Sequence, residues 1–314
     1  MKKTLTVASL AALMSTSAMA ETIGVSMALF DDNFLTVLRN GMQEKADSMD
    51  GVDIQIEDAQ NDVARQLDQI NNFVASGVDA IIVNPVDTSA TEAMTQAAEA
   101  AGVPLVYVNR QPINVDTLPD NQAFVASNEQ ESGTLETIEV CNQLEAAGKN
   151  PARVYILMGE LSNQAAVMRT QDIDDVIAAG DCAVEIEEID RQTANWSREQ
   201  ANSLMTNWLS SGEPFDAVIA NNDEMALGAI AAMKANGISM DDVVVGGVDA
   251  TQDALAAMEA GDLDVTVFQN ASAQGGGALE AAIALANGEE VDQKVYIPFE
   301  LVTPDNMADY MDAN

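Results

Sequence analysis

AIIVNPVDTSATEAMTQAAEAAGVPLVYVNR, residues 80–110, carries the rhythm of the whole chain. Ala80–Val83 is a short apolar run stopped by Asn84-Pro85, and Leu105–Val108 is another, stopped by Asn109-Arg110. Ser89–Ala101 lies between them with the length and period of a helix. Two buried strands around one helix make a βαβ unit, whose strands run parallel. Upstream the same pattern gives strands Ile23–Leu29 and Val52–Glu57, with helices Asn33–Ser48 and Val63–Ser76. On the latter, Val63, Leu67, Ile70, Phe73 and Val74 fall on one face. Phe124–Ser127 reads as a further strand and Gln130–Ala147 as a helix that opens a second series. Its strands are Val154–Met158, Val184–Ile189, Ala217–Ala220 and Val243–Val248, and its helices Gln164–Ala179, Arg198–Ser210 and Glu224–Asn236. The tail adds a strand at Val265–Gln269, a helix at Ser272–Asn287, a strand at Val295–Leu301 and a short helix from Pro304. The fold class expected is α/β: two doubly wound parallel-sheet halves with helices on both faces. The tail elements are too few for a third domain, so they should complete the two sheets, with several crossings between lobes and a hinge.

Composition narrows the function. The 314 residues carry 51 acids against 13 bases and no histidine, a net charge of −38. Such a field repels nucleic-acid phosphates. Without histidine there is no Ser-His-Asp triad, no Cys-His dyad and no His-ligated zinc. The first twenty residues read as an export signal: Lys2-Lys3, an apolar run from Leu5 to Met14, and Ala18-Met19-Ala20 as the cleavage site. Cleavage after Ala20 and a periplasmic location are expected. No cysteine directly follows that site to carry a lipid, and no later apolar run reaches the length of a membrane helix. In an oxidising compartment Cys141 and Cys182, 41 positions apart, are favoured to form a structural disulfide, with two separate buried thiols as the alternative.

In open parallel sheets ligands bind beyond the carboxyl ends of the strands. The residues at those ends in this chain are Asp31–Phe34, Asn84-Pro85, Asn109-Arg110, Gly159-Glu160 with Asn163 and Arg169, Asn195-Trp196, Asn221–Asp223, Asp249 and Gln269. Amides, carboxylates, two arginines and two aromatics suit an uncharged polyol, whose hydroxyls both donate and accept. Phe34 and Trp196 could cover the C–H faces of a ring. Asp and Asn at these positions are also ordinary helix N-caps, the reading given to Asp223 and Asp253. Trp208 falls with Leu204 and Leu209 on a core stripe and reads as packing. An arginine directly after a buried strand is harder to explain as structure, because its charge needs a partner.

The segments Asp31–Phe34 (DDNF), Gln60–Asp62, Asn84-Pro85, Asn109-Arg110, Gly159-Glu160, Arg169-Thr170, Thr193–Trp196 (TANW), Ala220–Asp223 (ANND), Gly247–Asp249 and Gln269 stand in one order. In this, nearly the whole chain beyond residue 20 resembles a periplasmic sugar-binding protein of the ribose/galactose type, the receptor component of an ABC importer. The resemblance implies two Rossmann-like lobes joined by a three-crossover hinge, residues 21–127 with 270–297 and residues 128–269 with 298–314. The crossovers are expected near Ser127-Asn128, Gln269-Asn270 and Pro298-Phe299. It implies Asp32, Phe34, Asn109, Arg110 and, as an outlying member, Asn84 as ligand residues of the first lobe. Asn163, Arg169, Trp196, Asn222, Asp249 and Gln269 would be those of the second lobe and hinge. No catalytic residue, metal or cofactor is implied; the partners are a small polyol, a membrane permease and a chemoreceptor or sensor kinase, for a monomeric receptor.

Where the galactose branch carries a histidine and an aspartate ahead of the arginine, this chain has Asn163 and Ala165, and the calcium loop of that branch has no counterpart in Ala146–Arg153. Gln269 matches the ribose branch, and TANW the galactose branch. The texture of Met158–Ala166, Asn222–Ile230 and Phe299–Pro304 is most similar to proteins assigned to inositol uptake. Myo-inositol is therefore the favoured ligand, with a pentose such as ribose second and galactose third. A repressor of the same fold is excluded by the export signal and by the lack of a helix-turn-helix or basic patch. A glycosidase could take Asp32 and Asp249 as its pair, but two arginines beside them should keep both acids ionised and leave no general acid.

Overall fold

The structure is a computed structural model, described over residues 21–311 and 313; the expected export signal lies outside the described residues. The first series runs β1 (Glu21–Met27), α1 (Asn33–Asp47), β2 (Val52–Asp58), α2 (Val63–Ser76), β3 (Ala80–Val83), α3 (Thr91–Ala101), β4 (Leu105–Val108) and β5 (Gln122–Ala126). The second runs α4 (Ser132–Ala146), β6 (Ala152–Met158), α5 (Gln164–Ala179), β7 (Ile186–Thr193), α6 (Arg198–Leu209), β8 (Ala217–Ala220), α7 (Asp223–Ala235), β9 (Val244–Gly246) and α8 (Gln252–Glu259). The tail holds β10 (Thr266–Phe268), α9 (Ala271–Ala286), β11 (Lys294–Tyr296) and β12 (Glu300–Val302).

One parallel sheet has the order β2-β1-β3-β4-β5-β11, and a second has β7-β6-β8-β9, so the expected α/β fold with parallel sheets is present. The antiparallel pair β10–β12 extends the second through bridges Gly246–Val265 and Asp249–Phe268. Each sheet is packed on both faces. Met27, Leu38 and Leu279 lie on one side of the first and Phe73, Tyr107 and Phe124 on the other. In the second, Trp208 stacks on Tyr155 at 4.4 Å and 12°, as core packing. In both sheets the strand order reverses direction at the first strand, β1 against β3 and β6 against β8, which opens a crevice at the carboxyl ends there.

The expected single strand Val295–Leu301 is two strands: β11 lies beside β5, and β12 beside β10 in the other body. Pro298, with no N–H to give a ladder, stands in the passage between them. The chain passes between the sheets also after β5 and between β10 and α9. The strand expected at Val184–Ile189 runs on to Thr193, paired to Met158. It is a polar edge strand with only half-buried apolar positions, so no hydrophobic run marks its end. On α2 the fully buried face includes Gln66 and Gln69, while Val63, Leu67 and Val74 are half-buried. The two amides are drawn in because they satisfy strand-end groups: Gln69 bonds Ser26 and the Asp58 carbonyl, and Gln66 bonds the Asn84 carbonyl and Val86 N–H.

Cys141 on α4 and Cys182 ahead of β7 form a disulfide, with Cα atoms 5.3 Å apart. A crosslink closing 41 positions contributes about 4 kcal/mol in the chain-entropy model. Reduction, or Cys141→Ala with Cys182→Ala, is expected to lower the melting temperature by roughly 5–10 °C. An unchanged melting curve in excess dithiothreitol would show that the loop is held by other contacts.

Candidate functional site

The site is built at those two crevices, and its first layer consists of helix caps. Asp32 ends the loop after β1 and accepts from Leu35 N–H at 2.8 Å. Asn163 does the same for α5 through Ala165 N–H at 3.2 Å, and Asn222 for α7 through Met225 N–H at 3.1 Å. The capping and ligand readings therefore fall on the same three residues. Each cap commits one side-chain oxygen to its helix, and all three residues line one pocket.

That pocket holds about 380 Å³ of empty space, part of it open to solvent. The structure brings ten of the eleven expected residues to its wall: Asp32, Phe34, Asn109 and Arg110 from one sheet, and Asn163, Arg169, Trp196, Asn222, Asp249 and Gln269 from the other or the passage between them. Asn84 does not reach it. It is fully buried one layer behind, where it donates to the Val108 carbonyl at 3.2 Å and to Asn109 Oδ1 at 3.2 Å. Its place in the ligand set is corrected to that of a brace for Asn109.

Three wall residues hold strained backbone: Asn109 at φ 65°, Trp196 at 62° and Asp249 at 125°. Such conformations cost about 1–3 kcal/mol each and persist where the surroundings enforce them. At Trp196 the enforcement is visible. A Cβ on Gly159 would lie 2.2 Å from the indole, so only glycine lets the ring settle across the end of β6. The indole then forms one wall of the pocket, with Phe34 also lining it.

Two guanidiniums organise the charge. Arg110 is buried and donates to the Pro85 carbonyl at 3.0 Å. Burial pulls its pKa below the ordinary value, against the attraction of Asp32 and Glu160. Arg169 is met from every side: by both Glu129 oxygens at 2.7 and 3.1 Å, the Asn221 carbonyl at 2.7 Å, Gln269 Oε1 at 3.1 Å, and Asp249 at 3.7 Å. Burial opposes its charge, but Glu129 and Asp249 outweigh that and hold its pKa above normal.

Glu129 is the charged wall residue that the strand-end reading missed, beside the apolar Leu35 and Ala165. The signal existed: it comes after strand β5 as the other wall residues come after theirs, and a buried arginine needs a carboxylate. The expectation that both arginines would keep Asp32 and Asp249 ionised meets an opposing effect. Burial pushes both carboxyls up, more than Arg110 and the Leu35 N–H lower Asp32 or Arg169 lowers Asp249. Asp223, expected as a cap, is instead fully buried inside the second body, accepting from Thr251 N–H at 2.9 Å and Thr266 Oγ1 at 2.7 Å. The cap of α8 is Thr251, and Asp253 pairs with Arg198.

Comparison with known proteins agrees with this geometry. The family model described as a periplasmic binding protein domain matches residues 23–290. A protein of Rhizobium meliloti named for rhizopine binding is 62% identical over the full length of both chains. A ribose import binding protein of Bacillus subtilis is 31% identical, covering 90% of this chain and 87% of its own. Among solved structures, an ABC transporter solute-binding protein from Bacillus halodurans with bound myo-inositol is 42% identical, at a TM-score of 0.87 over 96% of this chain and all of that one. A myo-inositol-binding protein of Caulobacter is 27% identical at a TM-score of 0.80, covering 92% of this chain and 95% of that one. Two doubly wound sheets, a polar crevice at their reversal points and these relatives make one case: the chain belongs to the periplasmic binding protein family, as a sugar- or polyol-binding component of ABC import.

Proposed function

We propose that this protein captures a cyclic polyol, with myo-inositol the leading candidate, and delivers it to a membrane permease by closing two lobes around it. The observation that carries the reading is the 42% identity, over nearly the whole chain, to a receptor holding myo-inositol. The wall supports it: carboxyls, amides and two guanidiniums match a ring of hydroxyls, with Trp196 and Phe34 available to its C–H faces. Residues 21–127 with 270–297 would form one lobe and residues 128–269 with 298–314 the other, turning about the three chain passages. Closure excludes water, and each lobe alone supplies half of the hydrogen bonds. Cleavage after Ala20 releases the mature receptor. A second role, presenting the closed form to a chemoreceptor or sensor kinase, uses the same lobes.

The test is a titration panel on refolded, sugar-free protein: myo-inositol, rhizopine, ribose, xylose, galactose and glucose, by calorimetry and thermal shift. Myo-inositol at about 100 times its Kd is expected to add about 2.7 kcal/mol, roughly 5–10 °C. Binding of rhizopine alone would assign the chain to the ligand named for its 62% relative. Binding of ribose alone would overturn the cyclic-polyol reading in favour of the ribose branch.

A further inference from the structure

Resting on that reading, the geometry points to a latch outside the ligand shell: Asn33 against Glu224, and Thr88 against Ser162, hold the closed form and set affinity without touching the ligand. Asn33 Nδ2, in the first turn of α1, donates to Glu224 Oε1 at 2.7 Å across the cleft. Thr88 gives its N–H at 3.1 Å and its Oγ1 at 3.0 Å to the Ser162 carbonyl, also across the cleft. None of these four residues lines the pocket itself, although Asn33 and Glu224 line the open cavity that adjoins it at Asp32, Arg110 and Trp196, and three of the four stand beside pocket residues. Asn33 lies between Asp32 and Phe34, Glu224 two positions after Asn222, and Ser162 directly before Asn163. Thr88 comes just after the Pro85-Val86 turn whose carbonyls hold Arg110.

The two bridges differ in kind. Thr88–Ser162 ends on a main-chain carbonyl, so no side-chain change at Ser162 removes its acceptor. Asn33–Glu224 is a side-chain pair, and its acceptor is prepared in advance. Arg198 grips both Glu224 oxygens at 2.8 Å each, and reaches Asp253 at 2.7 Å. That fork fixes the carboxylate before the lobes meet, so less rotamer freedom is lost on closing. Bonds present only in the closed form raise its population, and apparent affinity scales with that population. Their effect is expected to be the same factor for every ligand held within the pocket wall, which does not include them. Pocket residues, by contrast, change the ranking of ligands.

Asn33→Ala is expected to weaken binding about 3–10-fold for each ligand that the wild type binds. Asn33→Asp keeps the size but sets a like charge against Glu224, and should weaken binding about 10–30-fold. An acid in the first turn of α1 favours the helix, so its melting temperature without ligand should hold or rise while affinity falls. Part of the loss should return in 0.5 M NaCl, where the repulsion is screened, and in the double variant with Glu224→Gln. Unchanged affinities, or losses that differ among ligands, would overturn the latch. A ligand-free arm separates this from the ligand reading, since the described residues contain no free cysteine. Asn33→Cys with Glu224→Cys, treated with a short bis-maleimide, should crosslink across the cleft whether or not any panel sugar binds. No crosslink under either condition would overturn the latch itself.

Discussion

Arg169→Met is expected to abolish ligand binding, raising Kd by at least 10³-fold, and to lower the melting temperature by roughly 10 °C. The guanidinium is buried and is the shared partner of Glu129, Asp249, Gln269 and the Asn221 carbonyl. Removing it leaves buried Glu129 without its bidentate cation and Asp249 without its guanidinium neighbour, a change of about 3–5 kcal/mol when a buried pair is broken. At this chain length that corresponds to roughly 10 °C. The pocket wall would also lose its order, because Asp249 and Gln269 take their positions from the same group. Arg169→Lys separates the two effects. A lysine keeps the charge but not the planar fork, so it cannot bond Glu129 twice while reaching the Asn221 carbonyl. It should restore most of the melting temperature and still bind at least tenfold more weakly than wild type. Wild-type affinity in Arg169→Lys would remove the fork from the account of the site.

Stability should fall as the pH rises from 5 to 8, by roughly 5–15 °C in melting temperature. Burial, with Glu129 adding to it, pushes Asp172 up to about 7, and burial pushes Asp264 up to about 6. Burial also raises Glu136, whose Oε1 accepts only a long 3.3 Å bond from Ala220 N–H, and Asp223 deep in the same body. A carboxyl raised on folding binds its proton more tightly in the folded chain. Its contribution is complete below the unfolded value near 4 and is lost as the pH climbs through the folded value. For a fully buried carboxyl moved from about 4 to about 7 the loss between pH 5 and pH 8 is about 2.7 kcal/mol. Asp172→Asn should flatten the profile between pH 5 and 8. A melting temperature that rises over that range would mean that these acids are ionised within the fold, each with a counter-charge.

Several wall residues were legible because strand ends in a parallel sheet are where ligands sit, and a short apolar run shows its own end. Asp32, Asn109, Arg110, Asn163 and Asn222 come directly after such runs or within a few residues of them. Glu129 was missed because it lies on the passage after β5, where the chain leaves one sheet for the other, and its role appears only when Arg169 arrives from α5. Asn84 has the right position but the wrong depth: β3 is an inner strand with all four residues buried, and its end is covered by Asn109. Asp223 and Asn222 are neighbours, and no local rule says which caps the helix. The choice falls to Asn222 because Thr251 and Thr266 from other elements claim Asp223.

By itself the sequence determined the alternation of strand and helix, the two parallel sheets and the polar chemistry of the crevice, because these depend on local period and on the residues that end each apolar run. Only the tertiary structure decided which carboxylate pairs with which arginine, which amide braces and which faces the cavity. It also decided that the last predicted strand splits between two sheets, and that Asn33 meets Glu224 across 191 positions of chain. Those outcomes are set by long-range burial and charge, where a buried ion takes whichever partner the packing brings within reach, and sequence distance carries no record of that.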